Sequence, residues 1–252
     1  MRLIPCRRQK APIFTGIARS PLNPLLAVAL ASLLFISGTG LASAFENENG
    51  LWALASVTGA FPRQTDLPAW RWSGESQYRA LDDDASINQI LLRAGIGYAM
   101  ESRLSIWGGY AYVRTDSSDI SSIDEHRLWQ DLRLPPFAIA SLKINIRSRL
   151  EERWLDGSED TGWRFRQQVK AEWSRSPDTN YSIIASEELF VSLNDTNWGE
   201  NSGFDQNRFF FGLGYRFNAG QLQLGYLNQF VDRQLDSDLM NHSLFIGLAL
   251  RP

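Results

Sequence analysis

Between Leu142 and Trp154 apolar and charged side chains alternate almost residue by residue. Leu142, Ile144, Ile146 and Leu150 share one parity; Lys143, Asn145, Arg147, Arg149, Glu151 and Arg153 share the other. The segment Gly162–Trp173 (GWRFRQQVKAEW) repeats the pattern. Successive side chains of a strand point to opposite faces, so each segment is a ribbon with one apolar and one strongly charged side. A helix would mix the two.

Ribbons of this kind fill the chain from residue 51 onward. Strands are predicted over Leu51–Phe61, Trp70–Arg79, Asn88–Met100, Arg103–Arg114, Glu125–Leu134, Ser141–Trp154, Gly162–Ser174, Asn180–Leu193, Phe204–Phe217, Gly220–Val231 and Asn241–Arg251. Most are about ten residues or longer, the length that crosses a bilayer at a tilt and longer than the usual strand of a globular domain. No segment after residue 44 carries a helical period.

The connections alternate in length. Short ones fall at Met100–Ser102, at the Pro135-Pro136 bend, at Arg175–Thr179 and at Asn218-Ala219. Long ones fall at Ala80–Ile87, Thr115–Asp124, Leu155–Thr161, Asn194–Gly203 and Asp232–Met240. Every long connection is acidic, from Asp82-Asp83-Asp84 to Asp232, Asp236 and Asp238, and alternate connections of an up-and-down barrel emerge at one end. Short turns at one rim and longer loops at the other are the pattern of an outer-membrane barrel.

Composition places the chain in the export pathway. Arg2, Arg7, Arg8, Lys10 and Arg19 precede an apolar core from Leu25 to Ile36, and Ala42-Ser43-Ala44 ends the segment as an A-x-A cleavage site. Residues 1–44 read as a cleaved secretory signal, and residues 45–252 as a single barrel domain. The leader's apolar core falls short of the ~20 residues of a spanning helix. Cleavage removes five positive charges and takes the formal net charge from −3 to −8. An acidic mature chain lacks the basic footprint of a nucleic-acid binder. The one cysteine, Cys6, lies in the leader, so the exported chain has neither disulfides nor thiolate chemistry.

Alternation alone leaves open which face is inside. A lipocalin-like soluble barrel would turn the apolar face inward and the arginines to water. Aromatics at the ends of the apolar face (Trp163 and Trp173; Tyr215 and Phe217; Trp70, Trp72 and Tyr78) instead suit the girdles of a lipid interface. Glycines fall on the charged parity, at Gly95, Gly97, Gly109, Gly212, Gly214, Gly225 and Gly247, where a crowded interior needs small residues. The expected fold is therefore all-β: a closed up-and-down antiparallel transmembrane β-barrel. Eleven candidates against the even number of bacterial single-chain barrels favour about twelve strands over ten.

With lipid outside, the lumen carries Arg71, Arg79, Arg93, Lys143, Arg147, Arg149, Arg153, Arg164, Arg166, Lys170, Arg208 and Arg216 against Glu75, Glu151 and Glu172. Such a basic wall is either paired internally, hydrated in a channel, or open to an anion. A narrow porin-like pore would draw its anion preference from Arg147, Arg149, Arg164, Arg166 and Arg208. An occluded barrel would act through its acidic loops. A lipid-modifying enzyme would need a serine, a histidine and an acid on one face, and only His126 and His242 could serve as its base. Adjacent residues of a strand face opposite ways, so His242 and Ser243 cannot pair. No His/Cys metal spacing and no phosphate-cradling glycine loop occurs, so no cofactor or metal is expected, although the acidic rim could share divalent cations with lipopolysaccharide phosphates.

Several stretches also resemble a known family: Asp124-Glu125-His126-Arg127-Leu128-Trp129-Gln130, Arg147-Ser148-Arg149-Leu150-Glu151-Glu152-Arg153, Trp163-Arg164-Phe165-Arg166, and Gln206-Asn207-Arg208 followed by Gly225-Tyr226-Leu227. They are similar, in order over most of residues 51–250, to the bacterial domain of unknown function 2490, a family of expected outer-membrane β-barrels. The resemblance implies a barrel in the outer membrane, surrounded by its lipid and lipopolysaccharide and inserted by the outer-membrane assembly machinery. It implies no catalytic residue. One departure is the C-terminus, Leu248-Ala249-Leu250-Arg251-Pro252, which lacks the terminal aromatic that such barrels commonly present to that machinery.

Overall fold

A computed structural model describes residues 46–62, 70–82, 87–100, 104–118, 121–176, 178–233 and 237–251. The expected signal segment, Asp83, Asp84, Asp119, Asp236 and the Ser102 turn lie outside these residues. The described residues form twelve strands: β1 (Glu46–Ala60), β2 (Trp70–Asp82), β3 (Asn88–Ala99), β4 (Ser105–Asp116), β5 (Ile123–Arg133), β6 (Phe137–Ile139), β7 (Leu142–Leu155), β8 (Gly162–Trp173), β9 (Tyr181–Ser192), β10 (Gly203–Phe217), β11 (Gly220–Val231) and β12 (Leu239–Leu250). They form one sheet that closes through β1 with β12 and β5 with β7.

Closure differs from the expected even, wholly antiparallel ring. Eleven strands make the wall and the twelfth, β6, spans three residues. The cause is Pro135-Pro136. Neither residue has an N–H to give to β7, so the fifth wall strand breaks after Leu134 donates to the Ile146 carbonyl. It resumes as β6, where Phe137 pairs with Ile144. The chain reverses not at the prolines but at Ala140-Ser141, with Ala140 at a φ of 52°. With an odd number of wall strands, β1 and β12 must run parallel where they meet, and they do so from Glu46↔Leu239 to Val57↔Leu250.

The alternation then determines which residues face inward. In the register Trp52↔Arg79↔Gln89 and Arg127↔Arg153, one parity of every strand turns to the lumen. That parity carries the charged and small residues, and the other carries the exposed apolar residues, among them Ile96, Leu128, Phe211, Leu213, Leu224 and Leu244. A lipocalin-like arrangement is excluded by this polarity, because the arginines are the buried residues and the aliphatics the exposed ones. Outward aromatics collect near both ends of the belt, with Trp70, Trp173, Tyr181, Tyr215 and Phe217 toward one rim and Trp154, Trp163 and Phe230 toward the other. Two polar pairs interrupt the belt: Ser148 donates to Gln167 at 2.7 Å, and Asn207 bonds Glu187.

The long acidic connections, those after β2, β4, β7, β9 and β11, share one rim, together with the start of β1. The other rim carries the connection after β1 and the tighter ones after β3, β6, β8 and β10. Inward glycines admit aromatic rings: a Cβ on Gly97 would stand 2.2 Å from the Trp107 ring, and one on Gly95 would stand 2.4 Å from Trp129.

Candidate functional site

The lumen is the one place where the alternation concentrates chemistry, and the strand register decides which charges meet. Across β5, β7, β8 and β9, Asp131 stands opposite Arg149, Arg149 opposite Arg166, and Arg166 opposite Phe190, with Glu151 and Glu188 one inward position away. Glu151 is the hub. It has no solvent exposure and accepts from Arg166 at 2.6 Å and Arg164 at 2.8 Å, with Arg149 at 3.6 Å.

The network extends in both directions along the axis. Arg166 also donates to Glu188 at 2.8 and 3.0 Å, and Arg147 reaches the same carboxylate at 2.7 Å. Arg149 binds Asp131 at 2.5 and 3.0 Å. Toward the acidic rim, Arg153 joins Glu125 at 2.5 Å and Glu200 of the β9–β10 connection, and Arg164 bonds Asp205 at 3.0 Å. That connection bends over the lumen: Trp198 lies 5.2 Å beneath the Arg153 guanidinium, and its indole N–H bonds the Asp160 carbonyl at 3.1 Å.

Arginine also stacks on the inward aromatics. Arg149 lies over Trp129 at 4.5 Å, Arg133 over Trp107 at 4.2 Å, and Arg79 over Trp52 at 3.8 Å. Arg208, like Arg79, is held by aromatic stacking and a glutamine. It sits between Trp52 and Phe190 at 4.9 and 4.5 Å and donates to Gln206 at 3.0 Å, without an ion pair among the described residues. Cation–π contacts in a dry site are worth up to about 2 kcal/mol each, which partly offsets the desolvation of the guanidinium. Trp52, Ile184, Phe210, Leu227 and Phe245 complete the filling as an apolar cluster on one side of the lumen.

Of the residues expected in the lumen, Arg147, Arg149, Arg153, Arg164, Arg166, Arg208, Glu151 and Glu172 all face inward, but they do not form one set. Arg147, Arg149, Arg164, Arg166 and Glu151 belong to one network; Arg153 forms a neighbouring set with Glu125, Arg127 and Glu200. Arg208 joins the first network through Gln206, which bonds the Asp205 partner of Arg164, and shares the Phe190 ring with Arg166. Glu172 lies apart near the short-turn rim, 3.5 Å from Arg216 and 2.9 Å from Gln221. Sequence reading missed acids that pair with these arginines: Glu125, Asp131, Glu188 and Asp205. It also missed Arg127 and Arg133. In β5 polar residues occupy both parities, with Asp124, His126 and Gln130 outward, so alternation gave no face there; β9 sets Glu187 outward and Glu188 inward.

Open space lies toward the short-turn rim. A cavity of about 710 Å³ lies among Thr58, Arg71, Ser105, Arg133, Lys143, Lys170 and Arg251, and a second of about 270 Å³ continues past Arg93 and Arg147 to Arg208 and Phe210. Beyond them Glu125, Arg127, Arg153, Arg164 and Gln206 are all at most 8% exposed, so the lumen is packed at that level.

Both histidines lie outside the lumen in matching settings. His126 Nδ1 bonds Tyr110 and its Nε2 is 3.0 Å from Asp156; His242 Nδ1 is 2.5 Å from Tyr226 and its Nε2 3.2 Å from Asn47. Ser243 faces inward and is buried, and Glu125 is taken by Arg127 and Arg153. Among the described residues neither imidazole bonds a serine hydroxyl, and no cluster of histidine and carboxylate ligands could hold a metal ion.

Comparison with known proteins gives a family and a relative. Residues 49–240 match the family model described as Protein of unknown function (DUF2490). An uncharacterized protein of Methylorubrum extorquens is 30% identical over 225 residues, covering 88% of this chain and 96% of the relative. No solved structure matches.

Proposed function

The chain belongs to the DUF2490 family, and from its inverted wall we infer that it is a barrel of the bacterial outer membrane, closed to through-flow, that acts at its rims and not as an open pore. The carrying observation is the pairing of an exposed apolar belt with a buried ionic interior. In water that polarity would leave Leu213, 62% exposed, and Phe211, 52% exposed, hydrated while arginines are desolvated. In lipid it satisfies both faces. The reading takes outer-membrane lipid and lipopolysaccharide as the surroundings of the belt, the outer-membrane assembly machinery as the route of insertion, and a signal cleaved after Ala44 as the route of export.

Closure is favoured over an anion-selective pore because four of the five arginines that would select anions are ion-paired, as is the neighbouring Arg153, while the fifth, Arg208, is stacked between Trp52 and Phe190. Arg147, Arg149, Arg153, Arg164 and Arg166 each hold a carboxylate within 3 Å. An ion in transit would have to break several such pairs at once, each removal leaving an uncompensated charge at a cost of about 3–5 kcal/mol.

Location is tested with single cysteines, which the cysteine-free mature chain makes clean. In outer-membrane vesicles, Leu213→Cys in the belt should resist a membrane-impermeant maleimide while Ser158→Cys in the acidic rim reacts. Equal, rapid labelling at both positions would refute the membrane reading.

A further inference from the structure

The cavity at the short-turn rim is not explained by a closed barrel. A structural plug needs its charges paired, as they are around Glu151, yet the mouth of this cavity carries Arg71, Lys143, Lys170 and Arg251 with no ion pair to any of them among the described residues. They come from β2, β7, β8 and the end of β12, so the wall presents cation from several sides of one space. Among the described residues one acid lines it, Glu75, and Arg93 holds that carboxylate at 2.7 Å.

Deeper in, Arg93 and Arg147 each keep a buried Nε–H, and Arg149 a buried Nη1, without a hydrogen-bond acceptor. Buried polar groups are ordinarily satisfied, and those left over in a cavity wall mark where an acceptor is wanted. Ser56, Ser73, Asn145 and Gln168 add neutral donors around them. The volume, about 710 Å³, is that of a small-molecule site. A low-dielectric wall of one sign focuses its field into the space it encloses.

We propose that this vestibule binds a small polyanion with several phosphate or carboxylate groups, entering from the short-turn side and held between Arg71, Lys143, Lys170 and Arg251. Four unpaired cations select a multivalent ligand, since a monovalent one would leave most of the charge unbalanced. Lysines supply point charges, and arginines supply paired donors that match either oxyanion. Lipid cannot enter through the continuous wall, so the ligand is a water-soluble one. The site goes beyond the closed-barrel reading and does not depend on the protein's location.

The purified mature barrel in detergent is titrated with tripolyphosphate, citrate and, at equal ionic strength, acetate, followed by tryptophan fluorescence from Trp107 and Trp129 in the cavity wall. Saturable binding of tripolyphosphate or citrate in the micromolar range, with acetate inert, is expected; which of the two binds tighter tells phosphate from carboxylate recognition. Lys143→Gln with Lys170→Gln should weaken it at least tenfold, and Arg233→Gln at the opposite rim should not, with far-UV circular dichroism unchanged in both. No saturable binding of either polyanion up to 10 mM, or binding indifferent to the two lysines, would overturn the proposal.

Discussion

Arg149 and Asp131 stand directly opposite one another on β7 and β5, joined by two hydrogen bonds of 2.5 and 3.0 Å, with both side chains essentially excluded from solvent. A pair held this way is a structural commitment: neither group can be removed without stranding the other. Asp131→Asn is expected to lower stability by about 3–5 kcal/mol. Replacing both partners with leucine and methionine should recover only part of that loss: a buried pair exchanged for apolar volume is often neutral, but Arg133, which also bonds Asp131 at 2.9 Å, is left without its carboxylate. Urea unfolding of the three variants in lipid vesicles, read by tryptophan fluorescence, measures it.

The inward glycines make room for rings. Gly97→Val is expected to cost about 1–3 kcal/mol, because its side chain would overlap Trp107. Gly74→Ala faces outward with its nearest neighbour at 3.5 Å and should stay within about 0.5 kcal/mol of the parent. Equal costs for both would contradict this assignment of the two faces.

Strand positions and their two faces were readable from period-two alternation, and the apolar parity does face outward as the aromatics and glycines required. The ion pairing of the deeper lumen arginines was not readable. Asp131 and Glu125 sit in a strand whose polar residues occupy both parities, and Glu188 adjoins Glu187 on the opposite face, so no local pattern marks them as inward. Parallel closure was also hidden: whether Pro135-Pro136 turns the chain or merely interrupts a strand depends on where β7 offers carbonyls, a long-range fact. The same holds for Trp198 and Glu200, which reach Arg153 only because the β9–β10 connection bends over the rim.

A charge on the belt discriminates lipid from water outside. Leu213→Arg is expected to destabilise the barrel by about 2–4 kcal/mol in bilayers. In a wall facing water the same change would be neutral within about 0.5 kcal/mol. The comparison of folding in vesicles with that of the parent gives the sign directly.

Order in the acidic-rim connection should depend on pH through Asp195. Its carboxylate accepts from the Ser202 backbone N–H at 2.6 Å, and the Ser202 bonds hold its pKa below the usual aspartate value. A depressed pKa means the bond's contribution is complete above the ordinary aspartate range and is lost as pH falls through the lowered value. Hydrogen exchange at the Ser202 amide should therefore be protected at neutral pH and lose protection under strong acid, beyond the intrinsic slowing of exchange; Asp195→Asn should show weakened protection that no longer varies with acid.

Planar-bilayer recording of the purified mature protein tests closure most directly. The wild-type barrel should insert without steady ohmic conductance, and Glu151→Gln, which removes the charge shared by Arg149, Arg164 and Arg166, should produce flickering or unstable current. Stable, anion-selective single-channel steps from the wild-type protein would contradict the account.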